Sequence, residues 1–121
     1  MTANFNKGQT MLVGKIVSKV DEIEKIIADL LVNQPEGSSV AKELIKLGGE
    51  LRMLELNIKS LAKIKFRDID NNITSINFYL NNLSGLLSKK DYLSLLTRIE
   101  SIKGNLFFKR IFYYLFNFNW F

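Results

Sequence analysis

The chain has 121 residues, 47% hydrophobic and 24% charged, which fits one globular domain (1–121) with its own core rather than a disordered segment. It has no cysteine and no histidine, which excludes disulfides and thiolate metal sites and removes the commonest general base and metal ligand. The net charge of +5 is lopsided: residues 1–60 carry eight Lys/Arg against eight Asp/Glu, and residues 61–121 carry nine against four, which points either to an acidic partner on the second half or to a merely solubilising surface.

The first residues, Met1 to Gln9, are polar and lack the apolar stretch of a signal peptide, so a cytoplasmic setting is expected. From there Val13, Ile16, Val20, Ile23, Ile27 and Leu30 recur at a 3–4 spacing, which predicts a helix over about 9–33 with one apolar face. The run Asn33-Gln34-Pro35-Glu36-Gly37-Ser38-Ser39 is a loop, and Ser38 or Ser39 can cap a second helix. Val40, Leu44, Leu47, Leu51, Leu54, Ile58 and Leu61 predict that helix over about 39–66. Gly48-Gly49 inside it either admits a close neighbour or marks a tolerated kink, at about 1 kcal/mol each relative to Ala.

The join to the next element stays open. Residues 66–72 can form a turn, but no Gly or Pro lies there, so one long bent helix is the alternative. Ile69, Ile73, Ile76, Leu80, Leu83 and Leu87 predict a third helix over about 69–87. Its polar side is Asn71, Asn72, Thr74, Ser75, Asn77, Asn81, Asn82 and Ser84, with no charge from residue 71 until Lys89. A neutral face of this kind suits contact with another helix or subunit, where charge would cost desolvation. Ser88 caps a fourth helix over about 89–116, whose stripe is Tyr92, Leu95, Ile99, Ile102 and Leu106.

Four stripes of this spacing predict an all-α, antiparallel four-helix bundle with heptad-type packing. Beyond it lies an aromatic extension: nine of the fourteen aromatic residues come after residue 106. Continued as helix, this stretch is apolar all round, which a lone bundle cannot cover. Phe107, Phe108, Ile111, Phe112, Leu115, Phe116 and Trp120, with Asn77 and Asn81 of the third helix, are therefore the expected interface. What covers it is a second copy in a homo-oligomer, a protein partner or a membrane surface, unless the tail folds back into the domain's own core. The apolar run from Ile111 is about 11 residues, against the ~20 of a transmembrane helix.

Catalysis has no visible machinery. No Gly-rich phosphate loop follows a strand, and no carboxylate group converges enough to hold a metal, so neither enzyme activity nor a cofactor is expected. The cations are the better candidates: Lys63, Lys65 and Arg67 between the second and third helices, Lys89 and Lys90 at the start of the fourth, and Arg98, Lys103, Lys109 and Arg110 beside its stripe. They can contact RNA or DNA backbone, and with no base-reading motif that contact is sequence-indifferent.

The run Ile73-Thr74-Ser75-Ile76-Asn77-Phe78-Tyr79-Leu80, then Leu83, Leu86-Leu87, Lys90-Asp91-Tyr92, Leu96, Arg98-Ile99 and Ile102 resembles the Avd-like accessory four-helix-bundle proteins of diversity-generating retroelements. It covers roughly the last fifty residues. The resemblance implies a basic, barrel-like oligomer that binds nucleic acid and a reverse transcriptase, with Arg98 and Lys103 facing the nucleic acid. Where those proteins place Gly-Gly-Trp after the position of Ile102, this chain has Leu106-Phe107-Phe108-Lys109. The alternative function is a membrane-associated or protein-sequestering bundle, similar in type to bacteriocin immunity proteins.

Overall fold

The computed structural model describes residues 2–59 and 66–112, with side chains described at 11, 13–59 and 66–107. Four helices succeed one another: α1 (Thr2–Val32), α2 (Ser39–Lys59), α3 (Phe66–Leu83) and α4 (Lys89–Phe112). No strand occurs among the described residues.

Each predicted stripe becomes the buried side of its helix. Ile16, Val20, Ile23 and Ile27 of α1 meet Leu44, Leu47, Leu51, Leu54 and Ile58 of α2 in one core. Ile69, Ile76, Leu80 and Leu83 of α3 and Leu95, Ile99, Ile102 and Leu106 of α4 complete it. A fully buried Leu or Ile contributes about 1.5–3 kcal/mol. The remaining described stripe residues, Val13, Leu30, Val40, Ile73, Leu87 and Tyr92, are only partly buried and pack against that core.

Polar cross-links set direction and register. Lys19 Nζ donates to Ser101 Oγ, and Arg98 Nε donates to Glu22 Oε1 at 2.8 Å, so α1 and α4 run antiparallel. Arg52 reaches Glu24 at 3.1 Å between α2 and α1. Asn82 Nδ2 donates to Glu43 at 3.2 Å, and Asn72 Nδ2 donates to Glu50 at 3.0 Å, so α3 returns along α2. The helices form a ring in which α2–α3, α1–α2 and α1–α4 pack closely, while α3 and α4 touch least.

The boundaries correct the sequence expectation at several places. α1 begins at Thr2 rather than 9, no proline lying between Thr2 and Gln9 to break the helix. α3 begins at Phe66 rather than 69, with Asp68 in its first turn, where an acid favours the helix dipole. Residues 66–72 are therefore helix, not turn. Because α3 runs back along α2, the chain reverses between Lys59 and Phe66, and one continuous helix is excluded.

The third helix ends at Leu83 rather than 87. Ser84 Oγ donates to the Asn81 carbonyl at 2.7 Å, and the amides of Leu86 and Leu87 both donate to the Leu83 carbonyl at 3.0 Å. Leu87 keeps its place against the core without being helical. Ser38 Oγ accepts from the Ala41 amide at 3.2 Å, which identifies Ser38 as the cap of α2. Ser88 Oγ accepts from the Asp91 amide at 3.2 Å and caps α4, as its spacing predicted. The predicted end of α2 beyond Lys59 and of α4 beyond Phe112 lies outside the described residues.

Candidate binding face between α3 and α4

The loose pairing of α3 with α4 has a local cause in the sequence. Toward α4, α3 presents Thr74, Asn77 and Asn81, short polar side chains that do not fill the gap as Leu or Ile would. The result is a seam with two recesses. One, of about 430 Å³, lies between Thr74, Asn77, Phe78 and Asn81 of α3 and Tyr92 and Leu96 of α4. The other, of about 240 Å³, lies between Phe66, Ile69 and Ile73 of α3 and Leu106 and Phe107 of α4, with Asp70 and Lys103 at its lip.

Large apolar groups of α3, α4 and the turn between them remain in solvent. Phe107 is 64% exposed, Phe78 61%, Leu86 45% and Leu93 44%. The Phe78 ring stands edge-on to Tyr79, with centroids 5.6 Å apart. α4 thus carries apolar residues on its outer as well as its inner side.

The uncharged side of α3 divides into two uses. Asn72 and Asn82 bond to Glu50 and Glu43 of α2, and Asn57 Nδ2 donates to Asn72 Oδ1 at 2.6 Å. Thr74, Asn77 and Asn81 face the seam instead. Contact with another helix is thus seen for Asn72 and Asn82, both against α2.

The expected interface residues divide accordingly. Asn77, Asn81 and Phe107 border the seam. Phe108, Ile111 and Phe112 belong to α4, but their side chains, like all of Leu115, Phe116 and Trp120, lie outside the described residues. Phe78 joins the face without having been singled out as an interface residue. Its signal was present in that it is large and apolar at a position the buried stripe of α3 skips.

The expected cations do not form one patch. Arg98 is held by Glu22 and by Ser94, to whose carbonyl and hydroxyl its Nη1 donates at 3.0 and 2.9 Å. Lys103 is paired with Glu100 at 2.9 Å. Arg67, Lys89 and Lys90 are exposed and carry no such pairing. Arg67 opens α3 near the smaller recess, and Lys89 and Lys90 open α4 at the other end of the seam. From Lys89 to Lys103 is about 21 Å along the helix. Lys63 and Lys65 lie outside the described residues, as do the side chains of Lys109 and Arg110.

A third recess, of about 400 Å³, lies between α1 and α2. Gly48 and Gly49 form part of its floor, with Ala28 and Leu31 opposite. A Cβ at Gly48 would meet only Ile27 Cδ1, at 3.9 Å, and one at Gly49 would meet nothing within 4 Å. Close approach of α1 therefore does not require these glycines. Ile45, Met53 and Leu56 stand exposed beside them on α2.

Among the described residues, no group of three or more acids could hold a metal ion. No described helix is long and apolar enough to cross a membrane. Comparison of the chain with protein-family models, curated proteins and solved structures finds no match.

Proposed function

We propose that this chain is a non-enzymatic, sequence-indifferent nucleic-acid-binding protein, and that a single strand lies along the α3/α4 seam. The observation that carries this reading is the arrangement of that face. Exposed aromatic rings and uncharged amides lie between unpaired cations: Phe78, Phe107 and half-buried Tyr92 with Asn77 and Asn81, and Arg67 and Lys89-Lys90 toward the two ends. Bases stack on such rings without regard to sequence, and the cations meet phosphates. Arg98 and Lys103, which the family resemblance favours, contribute less here because Glu22 and Glu100 already hold them. A reverse transcriptase as companion goes with this reading by resemblance alone; a cytoplasmic location goes with it from the polar first residues, and a homo-oligomer from the aromatic end of the chain as well as the resemblance.

Fluorescence anisotropy with mixed-sequence single-stranded RNA tests it. Binding should weaken steeply with salt. The double substitution Lys89→Glu with Lys90→Glu should lower affinity and flatten the salt slope. Phe78→Ala should cost about 1–3 kcal/mol of binding at an unchanged slope. Absence of binding even at low salt would sink the proposal.

A second reading is favoured by one observation. The smaller recess is mostly apolar, lined by Phe66, Ile69, Ile73 and Leu106, which suits an apolar protein segment better than a nucleotide. In that case Phe107→Ser would abolish association with a protein partner and leave RNA binding unaffected.

A further inference from the structure

The antiparallel register gathers positive charge at one end of the bundle. From Thr2 to Val20, α1 has Lys7, Lys15 and Lys19 and no acid. Past Glu100, α4 has Lys103, Lys109 and Arg110 and no acid. The bond between Lys19 and Ser101 sets these two stretches side by side. α3 opens at the same end, because Phe66 shares the smaller recess with Lys103, Leu106 and Phe107. α2 finishes there with Lys59, since Gly48 lies by Ile27 and Arg52 by Glu24, so the helix runs toward the start of α1.

Each helix thus brings a cation to this end: exposed Lys15 on α1, Lys59 on α2, exposed Arg67 on α3 and Lys103 on α4. Glu55 and Glu100 offset Lys59 and Lys103, and Asp68 and Asp70 follow Arg67. The other part of α1, from Asp21 to Val32, holds Asp21, Glu22, Glu24 and Asp29 against Lys25 alone. The bundle is therefore electrically polarised along its axis.

The basic end also shows apolar side chains to water. Met11 is 60% exposed, and Phe107 stands exposed beside the smaller recess. α1 and α4 outrun α3 there: measured along each helix from the Lys19–Ser101 contact, Phe112 lies about 16 Å and Thr2 about 25 Å away, while Phe66 lies level with Leu106. Cations supplied by four helices around one end fit a plane better than a strand, which needs a linear track. Like charge disfavours a second copy set against the same end. Apolar groups among cations match a surface with phosphate outside and acyl chains beneath. No described helix can cross a bilayer, so the contact is with one face of it.

We propose that this end of the bundle docks on an anionic lipid bilayer, with the acidic part of α1 turned away from it. The inference does not rest on the nucleic-acid reading, which uses the α3/α4 seam and neither Lys15 nor Met11.

Co-sedimentation of the full chain with phosphatidylcholine vesicles containing phosphatidylserine tests it. The protein should pellet with them, less so as salt rises, and should stay in solution with phosphatidylcholine alone. Lys15→Glu should lower the bound fraction several-fold. Lys25→Glu makes the same charge change at another exposed site on α1, within its acidic part, and should leave binding nearly unchanged. Met11→Ser should weaken binding without altering the salt slope. Protein that stays in solution at low salt, equal pelleting with phosphatidylcholine alone, or equal loss from Lys15→Glu and Lys25→Glu would each overturn the proposal. A Lys15→Glu variant that lost RNA affinity and kept its vesicle binding would assign this end to nucleic acid instead. If RNA does not bind at all, the nucleic-acid reading falls and the vesicle result stands.

Discussion

Asn72 shows how a single side chain can fix a register. It is 9% exposed, donates to Glu50 and accepts from Asn57, and so ties α3 to two positions on α2. Asn72→Ala should cost about 1–3 kcal/mol, because a carboxylate and an amide lose their partner together. Urea unfolding monitored by circular dichroism checks this. Glu22 is the opposite case. Its pair with Arg98 is largely exposed, so Glu22→Ala should change stability by less than about 1 kcal/mol. The same substitution removes the carboxylate that neutralises Arg98, leaving it bonded to Ser94 alone, and RNA affinity should rise. An unchanged or lower affinity would place Arg98 outside the strand's path.

At the scale of the helix, Gly48 and Gly49 make a sharper prediction than the sequence alone allows. Spacing could not separate close approach from tolerance. The open space at both positions decides for tolerance. Gly49→Ala should therefore stabilise the bundle by about 1 kcal/mol, seen as a higher urea midpoint, and Gly48→Ala by a little less. The stripes themselves were legible because burial repeats with the helical period, as Leu44, Leu47, Leu51, Leu54 and Ile58 show. Helix ends were less legible. At Ser84 a local hydroxyl bond ends α3 while Leu87 keeps the apolar rhythm, so periodicity ran past the true boundary. The resemblance in the last fifty residues rests mostly on Ile76, Leu80, Leu83, Ile99 and Ile102, which are core positions. Such positions report a bundle and say little about its partner.

For the whole molecule, the candidate face was only half legible. Asn77 and Asn81 stood out by lacking charge, but no pattern along the chain shows that α3 and α4 are the neighbouring pair that packs least. That depends on which helices become neighbours, a property of the ring and not of any one segment. Likewise, the charge excess of the second half was plain, yet its split into held and unheld cations depends on α1 supplying Glu22. Leu51→Ala, at a site where four helices share one core, should cost about 2–5 kcal/mol and lower the cooperativity of unfolding.

The uneven ring has a consequence for motion. Polar cross-links join α1 to α2, α2 to α3 and α1 to α4. Of the neighbouring helices α3 and α4 pack least, so a fluctuation that parts them breaks the least contact. The bundle should breathe as a clasp whose spine is α1 and α2 and whose free arms are α3 and α4. Amide hydrogen exchange should show it: core amides of α3 and α4 should exchange together, in a partial opening of lower free energy than the one that exposes Leu47 and Leu51 of α2.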